Sequence, residues 1–153
     1  MDEPAFVPKP GQVDYTRIRY APVINCVVRY GGRILIVERS PGMRLYPGHW
    51  NGISGFLDDN RDVEDHARKE LDEELGIGGE AIVTMRRGAI FAVEAPEIGK
   101  TWIVHPVLID VGADQITLDW EAAHYKWVSP EEVLRYKLVP GFDRVVATFF
   151  PVE

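Results

Sequence analysis

Apolar and polar positions along this chain follow first a strand-like and then a helix-like spacing, and the changes between them mark its elements. Val23–Tyr30 and Arg33–Glu38 are β-rich runs separated by Gly31-Gly32. Two residues free to take positive φ between such runs predict a hairpin. From Ser40 to Gly55 the chain carries Pro41, Gly42, Pro47, Gly48, Gly52 and Gly55, which predicts a loop with a short strand at its end. The period then turns helical. Val63, Ala67, Leu71 and Leu75 recur at i, i+4, i+8 and i+12, one apolar stripe on a helix over 62–76. Asp62 is the expected N-cap, Asp65 complements the dipole in the first turn, and Gly76-Ile77 gives a left-handed stop with its hydrophobic contact. Strands are expected at Ala81–Thr84, Gly88–Val93, Trp102–Val111 and Tyr125–Val128. Ser129, Pro130 and Glu132 predict a capping box opening a short second helix, and Phe142–Phe150 a closing helix stopped by Pro151. The sum is an α+β domain, a mixed sheet covered by helices.

Length and charge narrow the reading. A chain of 153 residues suits one domain with a continuous core. We expect a proline-bearing arm over 1–20, lying on the domain or on a partner subunit, and a single domain over 21–153. The net charge of −7 argues against bulk nucleic acid or anionic membrane as partner. It leaves room for a small phosphorylated substrate, because a bound divalent cation reverses the local sign. The lone Cys26 cannot form an internal disulfide and sits in an apolar run, as a small buried hydrophobe would. Met1–Gln12 holds no apolar leader, and no run approaches the ~18 residues that span a bilayer. The expectation is a soluble, cytoplasmic protein.

On the predicted helix, Glu70, Glu73 and Glu74 fall at spacings of three and four along one flank of the apolar stripe, so their carboxylates converge. Alone, such a run also describes a solvated helix face. Converging carboxylates repel one another unless a cation sits among them, and hard oxygen ligands favour Mg2+ or Mn2+.

Gly55 followed by Lys69-Glu70-Leu71-Asp72-Glu73-Glu74-Leu75-Gly76-Ile77 resembles the Nudix box, whose pattern is Gly, five residues, Glu, seven residues, Arg-Glu-apolar-x-Glu-Glu-x-Gly-apolar. Gly55, Glu70, Leu71, Glu73, Glu74, Gly76 and Ile77 fall at the family's spacing. The preceding hairpin, the Trp50 loop and Trp127-Val128-Ser129-Pro130-Glu131-Glu132 look like the family's flanks, so the likeness spans most of Pro22 to Tyr136. The resemblance implies the Nudix α/β/α sandwich and metal-dependent cleavage of a nucleoside diphosphate linked to another group, ADP-ribose-like or a nucleoside triphosphate. It implies Glu70, Glu73 and Glu74 as metal ligands, joined by the carbonyl of Ser54, with Gly55, Lys69 and Gly76 as structural positions of the box. Two positions depart from the pattern: Arg61 replaces the first glutamate and Lys69 the arginine, so the family's usual ion pair cannot form. Asp65, at i, i+4 from Lys69, offers a substitute partner.

A general base is required near the attacking water. Glu121 is the preferred extra acid, since the family often places a glutamate shortly before this tryptophan-bearing strand. Glu94 and Glu97 are rivals, and Glu70 and Glu73 compete within the box. His66 lies one turn before Glu70, where it orients Glu70 or a bound water, or simply caps the edge of the helix interface. Substrate contacts are expected from Arg39 and Arg44 as charge-assisted donors and from Tyr46, Trp50 and Trp102 as stacking faces. Two other readings stay open. One is a Nudix-fold binding module without turnover, favoured by Arg61 and Lys69. The other is a diphosphate isomerase of the same fold, which needs an acid–base cysteine. A homodimer fits the family, though no residue here specifies one.

Overall fold

The computed structural model describes residues 3–151. Met1, Asp2, Val152 and Glu153, which belong to the expected arm and domain ends, lie outside that range. The strands are β1 (Tyr20–Tyr30), β2 (Arg33–Arg39), β3 (Trp50–Asn51), β4 (Ile53–Phe56), β5 (Ile82–Arg87), β6 (Phe91–Ala95), β7 (Lys100–Val111) and β8 (Ala122–Val128). The helices are α1 (Val63–Leu75) and α2 (Phe142–Phe149).

All eight strands belong to one mixed sheet. The β1–β2 hairpin turns on Gly31 and Gly32, with φ of 57° and 79°, the left-handed values that glycine takes without a Cβ penalty. β1 and β7 run parallel at the centre, from Tyr20 opposite Thr101 to Arg29 opposite Asp110. β4 pairs with β1, β8 with β2, and β5 and β6 with β7, all antiparallel.

Both faces of the central strands are covered, which is why they read as unbroken apolar runs. Ile24, Cys26, Val28, Leu35, Val37 and Ile109 point to the α1 side and pack on Ala67, Leu71 and Leu75. Ala21, Val27, Ile34, Ile36, Val104 and Leu108 point to the other side and meet Phe142, Val145 and Val146 of α2. The result is the expected α+β layered sandwich. The α1 signals hold in detail: Asp62 accepts a hydrogen bond from Asp65 N–H, and Gly76 closes the helix at φ 68°. The Ile77 N–H returns to the Leu71 carbonyl and its side chain is buried, a Schellman-type end.

Several element bounds differ from expectation. The segment after Ser129 keeps its capping box but forms a 3-10 helix over Pro130–Arg135, because the backbone turns extended at Tyr136 before an α-helical ladder develops. β5 runs on to Arg87 through pairing with Val107. The next strand starts only at Phe91: the break falls opposite His105 and Pro106 of β7, and Pro106 has no N–H to give the ladder.

Residues 3–19 form neither helix nor strand and lie along their own domain. Glu3 N–H donates to the Gly42 carbonyl at 3.0 Å and Val13 N–H to the Asp58 carbonyl at 2.7 Å. The Lys100 ammonium gathers the carbonyls of Tyr15, Thr16 and Ile18. Among the described residues, no helix is long and apolar enough to cross a membrane.

Candidate active site

The acidic flank of α1 faces a cleft of about 550 Å3 whose floor is β4 and whose rim includes the arm and the loops before β3 and β8. Because α1 buries Ala67, Leu71 and Leu75, the neighbouring Glu70 is carried under the rim and Glu74 is buried beside it, off the cleft wall, each only 9% exposed. Glu73, one position round the helix, stays in solvent at the cleft mouth. Gly55 makes this approach sterically feasible: a Cβ there would stand 2.6 Å from Glu70 Oε1.

Glu121, half-buried in the loop before β8, completes the group. Its position is fixed by Ser40 N–H donating to its carbonyl at 2.8 Å and by its own N–H donating to Asp119 Oδ1 at 3.0 Å. Glu74 lies against both Glu70 and Glu121. Burial first, and then repulsion from Glu121 and Glu70, holds the Glu74 carboxyl well above the usual carboxylate range. Burial likewise raises Glu70, and Glu121 with it. Glu74 Oε2 is buried without a hydrogen-bond partner. A buried, mutually repelling carboxylate set with a free inward oxygen is the donor chemistry that a hard divalent cation satisfies.

The two atypical box residues do not face each other. Arg61 turns to Asp59 at 3.6 Å. Lys69 Nζ spans Glu70 Oε1 at 3.6 Å and Glu73 Oε2 at 3.7 Å, two long contacts that leave its neighbours only loosely held. The substitute partner expected for Lys69 is engaged elsewhere: Asp65 pairs with Arg68 at 3.0 Å. His66 does not reach Glu70 as a partner; its ring is fully buried with Nε2 2.9 Å from Asp59 Oδ1.

The expected substrate residues divide. Arg39, Arg44 and Tyr46 line the cleft. Arg39 donates Nε–H to the Leu45 carbonyl at 2.8 Å, and burial lowers its pKa. Arg44 is paired with Glu3 of the arm at 2.9 Å. Tyr46 adopts a left-handed φ of 51° and accepts a hydrogen bond from Trp102 Nε1 at 3.2 Å. Trp50 packs edge-on against Tyr136 with Lys126 over its ring and is not among the residues lining the cleft. Glu94 is also taken out of contention by Arg19 at 3.1 Å and Thr101 at 2.8 Å, and Glu97 is not on the wall.

Residues not anticipated complete the cleft. Asn25 Nδ2 donates to Asn51 Oδ1 at 2.9 Å, and Asn51 Nδ2 donates to Ser54 Oγ at 3.1 Å. Both amides are buried, and Asn25 Oδ1 has no partner. The signal was a single polar residue inside Val23–Val28. Phe56 stacks with Tyr15 at 5.8 Å and meets Trp102 at 6.0 Å, and all three aromatics line the cleft.

A mixed sheet between two helical layers, with a glutamate-rich helix flank opening onto a cleft, defines a small hydrolase of the α/β/α-sandwich class. A family model described as the NUDIX domain matches residues 19–149. The chain therefore belongs to the Nudix family, whose hydrolases act on phosphoanhydride bonds. It is 24% identical to Nudix hydrolase 25 of Arabidopsis thaliana over 85% of this chain and 86% of that one. It is 21% identical to nucleoside triphosphatase NudI of Escherichia fergusonii over 79% and 90%. A solved C. elegans Ap4A hydrolase binary complex shares the fold with a TM-score of 0.69, at 22% identity over 85% of this chain and 95% of that one.

Proposed function

We propose that this protein is a Mg2+- or Mn2+-dependent pyrophosphohydrolase that cleaves a nucleoside diphosphate linked to another moiety, ADP-ribose-like or a nucleoside triphosphate. The observation that carries this is the carboxylate group on the α1 flank: Glu70, Glu73 and Glu121 line the cleft, and buried Glu74 lies against Glu70 and Glu121. Glu70, Glu73 and Glu74 would hold the cation, with the Ser54 carbonyl as a further ligand from β4. When bound, the ion neutralises phosphate charge and lowers the pKa of a coordinated water.

The chain's own residues do the rest. Glu121, which lines the cleft beside the proposed ligands, takes the proton from the attacking water. The water oxygen joins one phosphorus as the bridging P–O bond breaks. Arg39 and Arg44 take the phosphate oxygens, Arg44 after leaving Glu3. Tyr46, Trp102 and Phe56 receive the ring of the nucleoside. The names of the relatives, a nucleoside triphosphatase and an Ap4A hydrolase, support a nucleotide substrate. The buried Cys26 agrees with a cytoplasmic setting.

The loose Lys69 contacts favour a second reading, a binding module with little turnover. The isomerase reading loses support, because Cys26 is sealed in the α1-side core and burial pushes its thiol far up. The test is a nucleotide panel with Mg2+ and then Mn2+, with Glu73→Gln in parallel. Metal-dependent cleavage that disappears in the variant supports the hydrolase. Nucleotide stabilisation of the fold without turnover supports the binding module.

A further inference from the structure

The loop joining β4 to α1 brings together a second polar cluster that the reaction above does not use. Asp58, Asp59 and His66 each present a ligand atom, and these lie within 4.8 Å of one another. His66 is 0% and Asp58 9% exposed. His66 Nε2 stands 2.9 Å from Asp59 Oδ1, yet neither ring nitrogen has a properly directed hydrogen-bond partner, and Asp58 Oδ1 has none either. A carboxylate oxygen 2.9 Å from Nε2 calls for a proton between them, which a divalent cation displaces when the imidazole becomes a ligand. The neighbours satisfy the cluster only in part. Gln12 Nε2 reaches Asp58 Oδ2 at 3.4 Å, Arg61 N–H donates to Asp59 Oδ1 at 3.0 Å, and Arg61 Nε stands 3.6 Å from Asp59 Oδ2.

We propose that Asp58, Asp59 and His66 form a second divalent-cation site, separate from the glutamates of α1 and selective for a Zn2+-type ion. One imidazole and two carboxylates make a three-ligand set that leaves a fourth position to water. An imidazole ligand favours Zn2+ and Co2+ over Mg2+, which prefers oxygen. Ligands on a tetrahedral zinc stand ~3.3 Å apart, so His66 and Asp59 already have suitable spacing and the Asp58 carboxylate need only swing inward from its loop. An ion here would tie the first turn of α1 to the β4 loop and, through Gln12, to the arm that forms the cleft rim. It would thereby brace the helix that presents Glu70, one turn further on.

The test uses the metal-stripped full chain in excess Mg2+, which occupies all-oxygen sites, titrated with Zn2+ and, for spectroscopy, with Co2+. The expected result is one tightly held Zn2+ by native mass spectrometry, visible Co2+ bands of a low-coordinate site, and shifted His66 ring resonances. Asp59→Asn should weaken Zn2+ binding by more than ~10-fold, while Glu74→Gln leaves it unchanged. Asp59 is partly exposed and the change is isosteric, so the variant should fold, as circular dichroism would verify; His66→Gln gives a second reading. No Zn2+ uptake by the folded wild-type chain, or unmoved His66 resonances on uptake, would reduce the cluster to a plain histidine–aspartate contact. Uptake lost in Glu74→Gln but kept in Asp59→Asn would likewise overturn the proposal. The hydrolase reading rests on different residues and stands or falls separately.

Discussion

The two helical layers of this sandwich bury similar apolar stripes but leave very different residues beside them. On the α2 side, Phe142, Val145 and Val146 close onto β1, β2 and β7 with apolar partners on every side. On the α1 side, Ala67, Leu71 and Leu75 do the same work, and the same burial drags Glu70 and Glu74 out of water. The α2 layer mostly serves the fold, with Val145 also bordering the cleft. The α1 layer accepts a destabilising arrangement of charge at a cleft, the kind of local conflict that marks functional sites. Substitutions in the two layers should therefore have opposite consequences.

The largest effect is expected at the cleft. Glu73→Gln should lower kcat on the reactive nucleotide by about 10²–10³-fold, the scale of losing one electrostatic stabiliser of the transition state, with little change in melting temperature because the side chain is exposed. In the α2 layer the pattern inverts. Val146→Ala removes buried methyl groups that do not line the cleft and should destabilise the fold by about 2 kcal/mol in denaturant titrations, while kcat at low temperature stays near wild type.

The pH dependence of the metal-free protein sharpens the contrast. Glu70, Glu74 and Glu121 have folded pKa values raised above the ordinary glutamate value of 4.5. Stability from these groups is fully present below that value and is lost as pH rises through the raised folded values. Groups of the opposite sense, such as Asp110 held low by Arg29, lose their contribution only as pH falls through values below 3.8. Chelated protein should thus gain thermal stability on going from pH ~8 to ~5.5, and saturating Mn2+ should flatten that trend. A flat profile without metal would mean that the α1 carboxylates are not strained. The smallest effect is expected from rebuilding the box pair: Arg61→Glu with Lys69→Arg should improve metal affinity by about 3-fold, since the forked guanidinium holds carboxylates better than an ammonium.

The layers also differ in how far they could be read from sequence. The α1 stripe, its caps and the glutamate spacing are local and periodic, so helix, N-cap, stop and converging carboxylates were all legible. The Gly31-Gly32 hairpin was legible for the same reason. What escaped depends on contacts distant in sequence. Trp50 was assigned to the substrate because an aromatic in a glycine-rich loop suggests a stacking face, yet it packs against Tyr136 and is not among the residues lining the cleft. Asp65 was offered to Lys69 by spacing alone, whereas Arg68 lies closer on the surface. The Asn25–Asn51–Ser54 chain joins β1 to the β3–β4 corner, and only the folded register of β1 with β4 makes it visible. The Glu3–Arg44 contact across the cleft rim is likewise tertiary.

The central claim is that the α1 carboxylates are held together against their own repulsion for the sake of a cation. It is tested most directly by thermal unfolding of wild type and Glu74→Gln, each with chelator and with saturating Mn2+. At a pH above the raised carboxylate values the account predicts a crossing: the variant melts higher in chelator, where a buried charge has been removed, and the wild type melts higher with Mn2+, where its ligand set is complete. A wild type that is the more stable in chelator, or that gains nothing from Mn2+, would contradict it.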